Sequence, residues 1–415
     1  FEEQGDAERA LAAMKDASHY TRGHLSRDAV RALYGGAVTL SASRMDMARS
    51  CHFAYFMRYG LKARERTGAG FDAPQIGTFV HDVMDHTLRQ AKECGGLHTL
   101  SKDKLHALVR ASIEEYIDRV LPDLCEKSAR FRYLFNRLCA TVERIMDEVS
   151  EELQSSDFEP LAFELEFGAD GQLPAITIRE ENGTARVVGK VDRVDGWLHD
   201  GKLYLRVVDY KTGKKSFDLA ELRYGLGLQM LLYLFTLKEE GQMLFGGHEI
   251  VPAGVLYTPA REPMLRCARD TEPEKIEKAL KKELRRSGMV LEDPAVLQAM
   301  EHSALESPCY LPIAVKRDGA VTGSLASAEQ LGKLSKYVDH ILHEITQEVF
   351  AGNIDADPYA RTPQQSACTY CEFASACHFE NGCGSDRMEY IKATKNDEFW
   401  QYIDEVNGEG AHENG

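Results

Sequence analysis

The chain has 415 residues, 50 basic against 66 acidic side chains, a formal net charge of −16 and 43% hydrophobic residues. That length and apolar fraction are ample for a buried core and exclude a disordered chain, and no apolar run reaches membrane-spanning length. The acidic balance excludes tight phosphate binding by overall charge, so any nucleic-acid contact must rest on local basic patches.

Residues 1–37 read as a helix-prone lead whose AERALAAMKDA is rich in strong helix formers, a remnant of a preceding domain. A chain opening at Phe1 without methionine reads as a fragment. Ser43 followed by Asp46 has the spacing of a capping box, opening the helix that contains Cys51. Residues 76–94, 101–121 and 126–155 read as three helices, with Pro122 between the second and third. Strands follow near 160–168, 174–180, 184–195 and 202–210, with Asp170-Gly171 and Asp200-Gly201 as tight-turn signals. An apolar helix at 222–237, a strand at 250–257 and helices at 272–287 and 327–351 come next, the last opened by Ser327 with Gln330. The tail after Gly382 is acidic and is expected to be disordered from about residue 405. Gly196 to Lys202 mimics the G-x₄-G-K phosphate loop, but it joins two strands instead of opening a helix and reads as a hairpin.

The densest chemistry lies in VVGKVDRVDGWLHDGKLYLRVVDYKTGKKSF, residues 187–217. Asp192 falls at the end of one apolar strand and Asp209-Tyr210-Lys211 at the end of the next. Residues two apart in a strand share a face, so Asp209 and Lys211 project together. Two carboxylates and an ammonium on a sheet edge suit a hard divalent cation and a phosphate. The plain alternative is a surface ion pair at a strand end, worth a few tenths of a kcal/mol, on the order of exposed pairs generally. Gln229 and Tyr233 are four apart on one helical face, and Gly77 and His81 are one turn apart on another. Glu164 and Glu166 lie on the first strand, where one of them could face the metal.

These four motifs, in this order, resemble the RecB-like branch of the PD-(D/E)xK nucleases, which carry G-x-x-x-H, G-x-(I/V)-D, D-Y-K and Q-x-x-x-Y. The resemblance implies an α/β (α+β) fold: a restriction-endonuclease-like mixed sheet flanked by helices, with an inserted helical lobe and a C-terminal iron–sulfur staple. It implies a lead over 1–37 and a nuclease domain over 38–382, the latter with a helical lobe at about 76–156, a catalytic sheet at about 158–260 and a cysteine cluster at 368–377. Residues 383–415 would form the acidic tail. It further implies that His81, Asp192 and Asp209 hold Mg²⁺ or Mn²⁺ with the Tyr210 carbonyl assisting, that Lys211 positions the attacking water, and that Gln229 and Tyr233 steady the lysine and the DNA backbone.

Cys368, Cys371 and Cys377 form a C-x₂-C-x₅-C cluster, and Cys51 lies far upstream. Spacing alone fits either zinc or an iron–sulfur cluster, with Cys51 or Cys383 as the fourth ligand. A subgroup of RecB-like nucleases has a [4Fe–4S] cluster with one cysteine before the core and three after it, which places Cys51 in the set. That subgroup has C-P-F-x-x-F-x-x-Y-G-L at the first cysteine, and here His52 replaces the proline.

Within the branch, G-K-V-D-R-V-D, V-V-D-Y-K-T-G and Y-G-L-G-L-Q are similar to the AddB family of helicase–nuclease subunits. That implies a cytoplasmic bacterial exonuclease acting on single-stranded DNA during double-strand-break processing, in a heterodimer with an AddA motor subunit. It implies products with 5′-phosphate and 3′-hydroxyl ends. Arg58, Lys62, Arg64 and Lys214 are the candidate DNA contacts, whereas KKELRR at 281–286 reads as a solvated helix face. Two other readings fit the same motifs: an idle iron–sulfur scaffold or DNA-binding module of a helicase complex, and a CRISPR-adaptation-type exonuclease.

Overall fold

The computed structural model describes residues 2–18, 22–64, 73–168 and 171–413. Helices α1 (Glu2–Ser18) and α2 (Arg27–Tyr34) and strand β1 (Ala37–Leu40) lead into α3 (Ala42–Ser50), α4 (His52–Tyr55) and a π-helical turn at Phe56–Gly60. The helical lobe is α5 (Ala73–Glu93), α6 (Lys102–Val120) and α7 (Ala129–Gln154). Strands β2 (Glu159–Phe167), β3 (Ile176–Glu180), β4 (Gly183–Val187), β5 (Gly189–His199) and β6 (Lys202–Lys211) follow, then α8 (Leu219–Arg223), α9 (Gln229–Glu240) and β7 (Glu249–Pro259). The rest comprises α10 (Pro273–Glu283), β8 (Ser287–Leu291), α11 (Pro294–Met300), β9 (Ile313–Val315), β10 (Val321–Gly323), β11 (Leu325–Ala326) and α12 (Ala328–Ala351). It ends with β12 (Tyr359–Thr362), β13 (Gln365–Ser366), α13 (Ala374–Cys377), β14 (Glu389–Tyr390) and α14 (Asn396–Glu413).

Six strands form the main sheet in the order β11-β8-β7-β6-β5-β2. The pairs β2–β5, β5–β6 and β7–β8 are antiparallel, and β6–β7 and β8–β11 are parallel. This is a mixed sheet flanked by helices, as the motifs implied. Asp200 and Gly201 both have positive φ, 49° and 78°, and form the two-residue turn between β5 and β6. The G-x₄-G-K segment is therefore a hairpin. Gly189 has a steric reason: a Cβ there would lie 2.5 Å from Phe167 and from Tyr233, which stack edge to face.

Three readings of the sequence are corrected. The strand expected over 184–195 breaks at Val188. Its first half joins a separate sheet ordered β1-β4-β3 and its second half enters the main sheet. Ser43 caps no helix: α3 begins at Ala42 behind Ser41, and Asp46 instead accepts the backbone N–H of Gly227 at 2.9 Å. The acidic end is not a loose tail from residue 405, because α14 runs to Glu413, with Phe399, Trp400 and Ile403 in the main core and Val406 packed against it. The Ser327–Gln330 capping box at the start of α12 forms as expected. The expected Asp170-Gly171 turn lies partly outside the described residues. Among the described residues, no helix is long and apolar enough to cross a membrane.

Candidate active site

The register pairs Phe163 with Arg193, Leu165 with Val191, and Arg193 with Val208. Glu164, Asp192 and Asp209 therefore stand at one level across β2, β5 and β6. Like charges directly across from one another destabilise a sheet, so a row of three carboxylates calls for positive charge. The chain supplies some of it. Lys190 pairs with Glu164, and Lys211 Nζ lies 2.7 Å from Asp209 Oδ2 and 5.6 Å above the ring of Tyr257. From above, α5 brings His81, whose Nδ1 is 3.3 Å from Asp192 Oδ1 and whose Nε2 is 2.9 Å from the Tyr210 carbonyl oxygen.

The backbone of Tyr210 joins these groups. Its N–H donates to Asp192 Oδ2 at 2.9 Å while its carbonyl faces His81. From α9, Gln229 Nε2 donates to the Tyr233 hydroxyl at 3.2 Å and lies 3.5 Å from Asp209 Oδ1. All of the motif side chains thus converge on one end of β5 and β6.

Charge state follows burial. Burial, then the neighbouring Asp192 charge, pushes the Asp209 carboxyl up to about 6 despite Lys211 and His81. Glu164 is also raised, chiefly by burial. Burial opposes protonation of His81, but Asp192, Asp209 and Glu164 outweigh it and raise its pKa. Each group is held away from its ordinary state in a way that a divalent cation would relieve.

Among the described residues, the His, Cys, Asp and Glu side chains gathered tightly enough to share one ion are His81, Glu164 and Asp192, with ligand atoms within 4.8 Å of one another. Of the two glutamates on β2, Glu164 therefore faces the site. It has φ 49°, an uncommon conformation for a non-glycine residue in a strand that costs on the order of 1–3 kcal/mol. Nothing in the sequence signals that twist. Asp209 stands at the end of the row, engaged with Lys211.

The opposite face of β5 and β6 holds a buried chain of charges that sequence reasoning missed. Arg193 donates to the Tyr210 hydroxyl at 2.6 Å and to Asp195 at 3.0 Å, and Arg206 Nε donates to the same carboxylate at 2.9 Å. Arg206 Nη2 lies 3.3 Å from Glu152 on α7, which also accepts from Arg286 at 2.6 and 3.0 Å. Arg193, Asp195 and Arg206 have no solvent exposure. The signal available was Arg193-Val194-Asp195, charged residues at alternate positions on the strand face opposite Asp192.

Cys51, Cys368, Cys371 and Cys377 line one cavity of about 630 Å³ with Phe53 and Phe373. Cys383 is not among its lining residues. Burial pushes the Cys51 thiol up to about 12, so holding it as a thiolate requires a strongly charged partner. Four sulfurs around a largely apolar cavity suit a thiolate-bound metal group. Around it, His52 Nδ1 contacts Asp357 at 2.5 Å, and its N–H donates to the same carboxylate at 2.9 Å, fixing the turn after Cys51 without the proline. Of the candidate DNA contacts, Arg58 is bound by Glu372 at 2.7 and 2.9 Å and ties the π-helical turn to the cysteine loop. Lys62, Arg64 and Lys214 are exposed. The KKELRR tract divides: Lys281 and Lys282 are solvated, Arg285 borders the Lys211 side of the site, and Arg286 is buried against Glu152.

The family model of the PD-(D/E)XK nuclease superfamily matches residues 39–378. The chain is similar to an ATP-dependent helicase/deoxyribonuclease subunit of Thermoanaerobacter sp. (strain X514), 31% identical over 386 residues, covering 92% of this chain and 33% of the relative. The Acetivibrio thermocellus counterpart of the same name is 33% identical over 383 residues, with 91% and 33% covered. That of Caldanaerobacter subterraneus subsp. tengcongensis is 32% identical over 391 residues, with 93% and 33% covered. The chain spans about a third of the length of these curated relatives.

Proposed function

Because the chain belongs to the PD-(D/E)XK nuclease superfamily, we propose that it is a metal-dependent deoxyribonuclease that hydrolyses single-stranded DNA as part of a helicase–nuclease complex. The observation that carries this reading is the row Glu164, Asp192 and Asp209 across three strands, capped by His81 and flanked by Lys211. The donors are carboxylate, imidazole and backbone carbonyl, a hard set that fits Mg²⁺ or Mn²⁺. Asp192, His81, Glu164 and the Tyr210 carbonyl would hold the ion, with Asp209 at its edge. A bound divalent cation supplies positive charge to a phosphoryl oxygen and acidifies water.

The chain's own residues do the rest. Lys211, on the same face as Asp209, orients water toward phosphorus and offsets the charge that develops on the phosphate oxygens. Its Nζ rests over the Tyr257 ring. Gln229, braced by Tyr233, holds the Asp209 carboxylate in place. The exonuclease mode, the 5′-phosphate products and the AddA-type motor partner extend the same reading. The naming of the relatives as helicase/deoxyribonuclease subunits supports the motor partner.

We assign the Cys51, Cys368, Cys371 and Cys377 cavity to a [4Fe–4S] cluster with a structural role. It would join the turn before α4 to the segment around α13, closing a loop of over three hundred residues.

The test is Mg²⁺-dependent cleavage of end-labelled single-stranded DNA by anaerobically prepared protein, beside Asp209→Ala. Cleavage that disappears in the variant supports the site. If wild-type protein fails to cleave even with a motor subunit of the AddA type added, the idle-scaffold reading replaces this one.

A further inference from the structure

On the Lys211 side of the carboxylate row the sheet opens into a cavity of about 320 Å³, at the carboxyl ends of the parallel strands β6 and β7. Crevices at the carboxyl ends of parallel strands are where open α/β sheets take ligands. Its wall carries Lys211, Lys214, Lys215, Arg261 and Arg285, with Glu283 as the one carboxylate among the lining residues. In a chain of net charge −16 this is a local reversal of sign.

The wall is built, not loose. The loop at 212–216 is pinned at both ends: the Ala260 N–H donates to the Lys211 carbonyl at 2.9 Å, and the Phe217 N–H donates to Ser287 Oγ at 2.8 Å. Arg285 is oriented by the carbonyls of Ile313 and Pro308 at 3.2 and 2.5 Å, while its buried Nε has no hydrogen-bond partner. Glu283 holds Arg261 at 2.7 Å and Lys214 at 3.1 Å. A partly exposed pair of this kind is worth about 1 kcal/mol or less, so both cations can be taken over by a phosphate. Lys211 belongs to this wall and to the carboxylate row at once, which makes the two sites continuous.

We propose that this pocket is a phosphate subsite for the nucleic-acid strand, receiving the backbone next to the scissile phosphate on the Lys211 side. The proposal rests on the nuclease reading of the carboxylate row and names where the strand runs. The cleft on the other side, lined by Gln229, Tyr233 and Lys190, completes a path across the sheet end.

The experiment is anisotropy of a fluorescein-labelled single-stranded oligonucleotide in EDTA, titrated with the chain at several salt concentrations. Each phosphate contact contributes about −0.7 to the slope of log K against log salt. Lys214→Ala with Lys215→Ala is expected to lose about 1.4 from that slope. Lys102→Ala with Arg110→Ala, two exposed cations on α6, should lose none. An unchanged slope in the first pair, an equal loss in the control pair, or no binding by wild-type protein overturns the subsite. Cleavage in Mg²⁺ is read separately. Slope loss with no wild-type cleavage even after a motor subunit of the AddA type is added refutes the nuclease reading and leaves an anion site, so the two can fail independently.

Discussion

Glu152→Gln replaces the carboxylate that faces three buried guanidiniums with a neutral group of the same shape. Burial alone would push the Glu152 carboxyl up, but Arg286, Arg206 and Arg193 outweigh it and take it from 4.5 down to about 2. At about 1.4 kcal/mol per tenfold change in affinity for the proton, that displacement stabilises the folded state by about 3 kcal/mol at neutral pH. The figure agrees with the cost of removing one member of a buried ion pair, about 3–5 kcal/mol. The folded value lies below the unfolded one. The contribution is therefore complete above about pH 4.5 and is lost as pH falls toward 2. Urea unfolding of wild type and Glu152→Gln at pH 7 should differ by about 3 kcal/mol. Between pH 4.5 and 2 the variant should lack the corresponding part of the acid destabilisation. A difference below about 1 kcal/mol at pH 7, or equal acid slopes, would refute the account of the network as a set of mutually dependent charges.

Asp209, held up to about 6, should make cleavage at low Mg²⁺ rise with pH to a plateau above 6. More Mg²⁺ should move that midpoint to lower pH, and a flat profile from pH 5 to 7 would contradict the assignment. The same shift has the opposite sign for stability: without metal the protein should lose stability as pH rises from 3.8 to about 6. Gly288→Ala places a Cβ 1.9 Å from the Val255 carbonyl oxygen, so a loss of about 1–3 kcal/mol in thermal unfolding is expected, and an unchanged Tm would refute so close an approach of β8 to β7. Cys51→Ser should remove absorbance near about 400 nm while Cys383→Ser retains it, and the reverse result would make Cys383 the fourth ligand.

What was legible in the sequence was local. The Asp209–Lys211 spacing, the Gln229–Tyr233 spacing and the Gly77–His81 spacing are set by strand and helix periods, so each pair's shared face could be read without knowing the fold. The turn at Asp200-Gly201 was legible for the same reason. Glu164 could not be chosen over Glu166, because its orientation depends on a positive φ that no residue type announces. The strand break at Val188 was hidden because 184–195 is continuously strand-prone, and only pairing with β1 separates its halves. Arg286 reads as part of a solvated helix face, and nothing in the local sequence marks Arg206 or Glu152. Their burial requires partners up to 134 residues away in the chain, which no short window contains. The packing of α14 was missed because its acidic composition masks three core residues, Phe399, Trp400 and Ile403.

Strand β2 ends the main sheet on one side, and an unpaired edge is a template on which another chain can add a strand. Here α5 closes it: Arg89 donates to the Phe163 carbonyl at 2.6 Å and Lys92 to that of Leu161 at 2.8 Å. The positive φ at Glu164 breaks the straight run just beyond them. The helix that delivers His81 thus also guards the sheet against self-association, and the residue that faces the cation site keeps the edge from being flat. One helix and one strand serve both the sheet edge and the proposed site, so damage at this corner is expected to show first as aggregation.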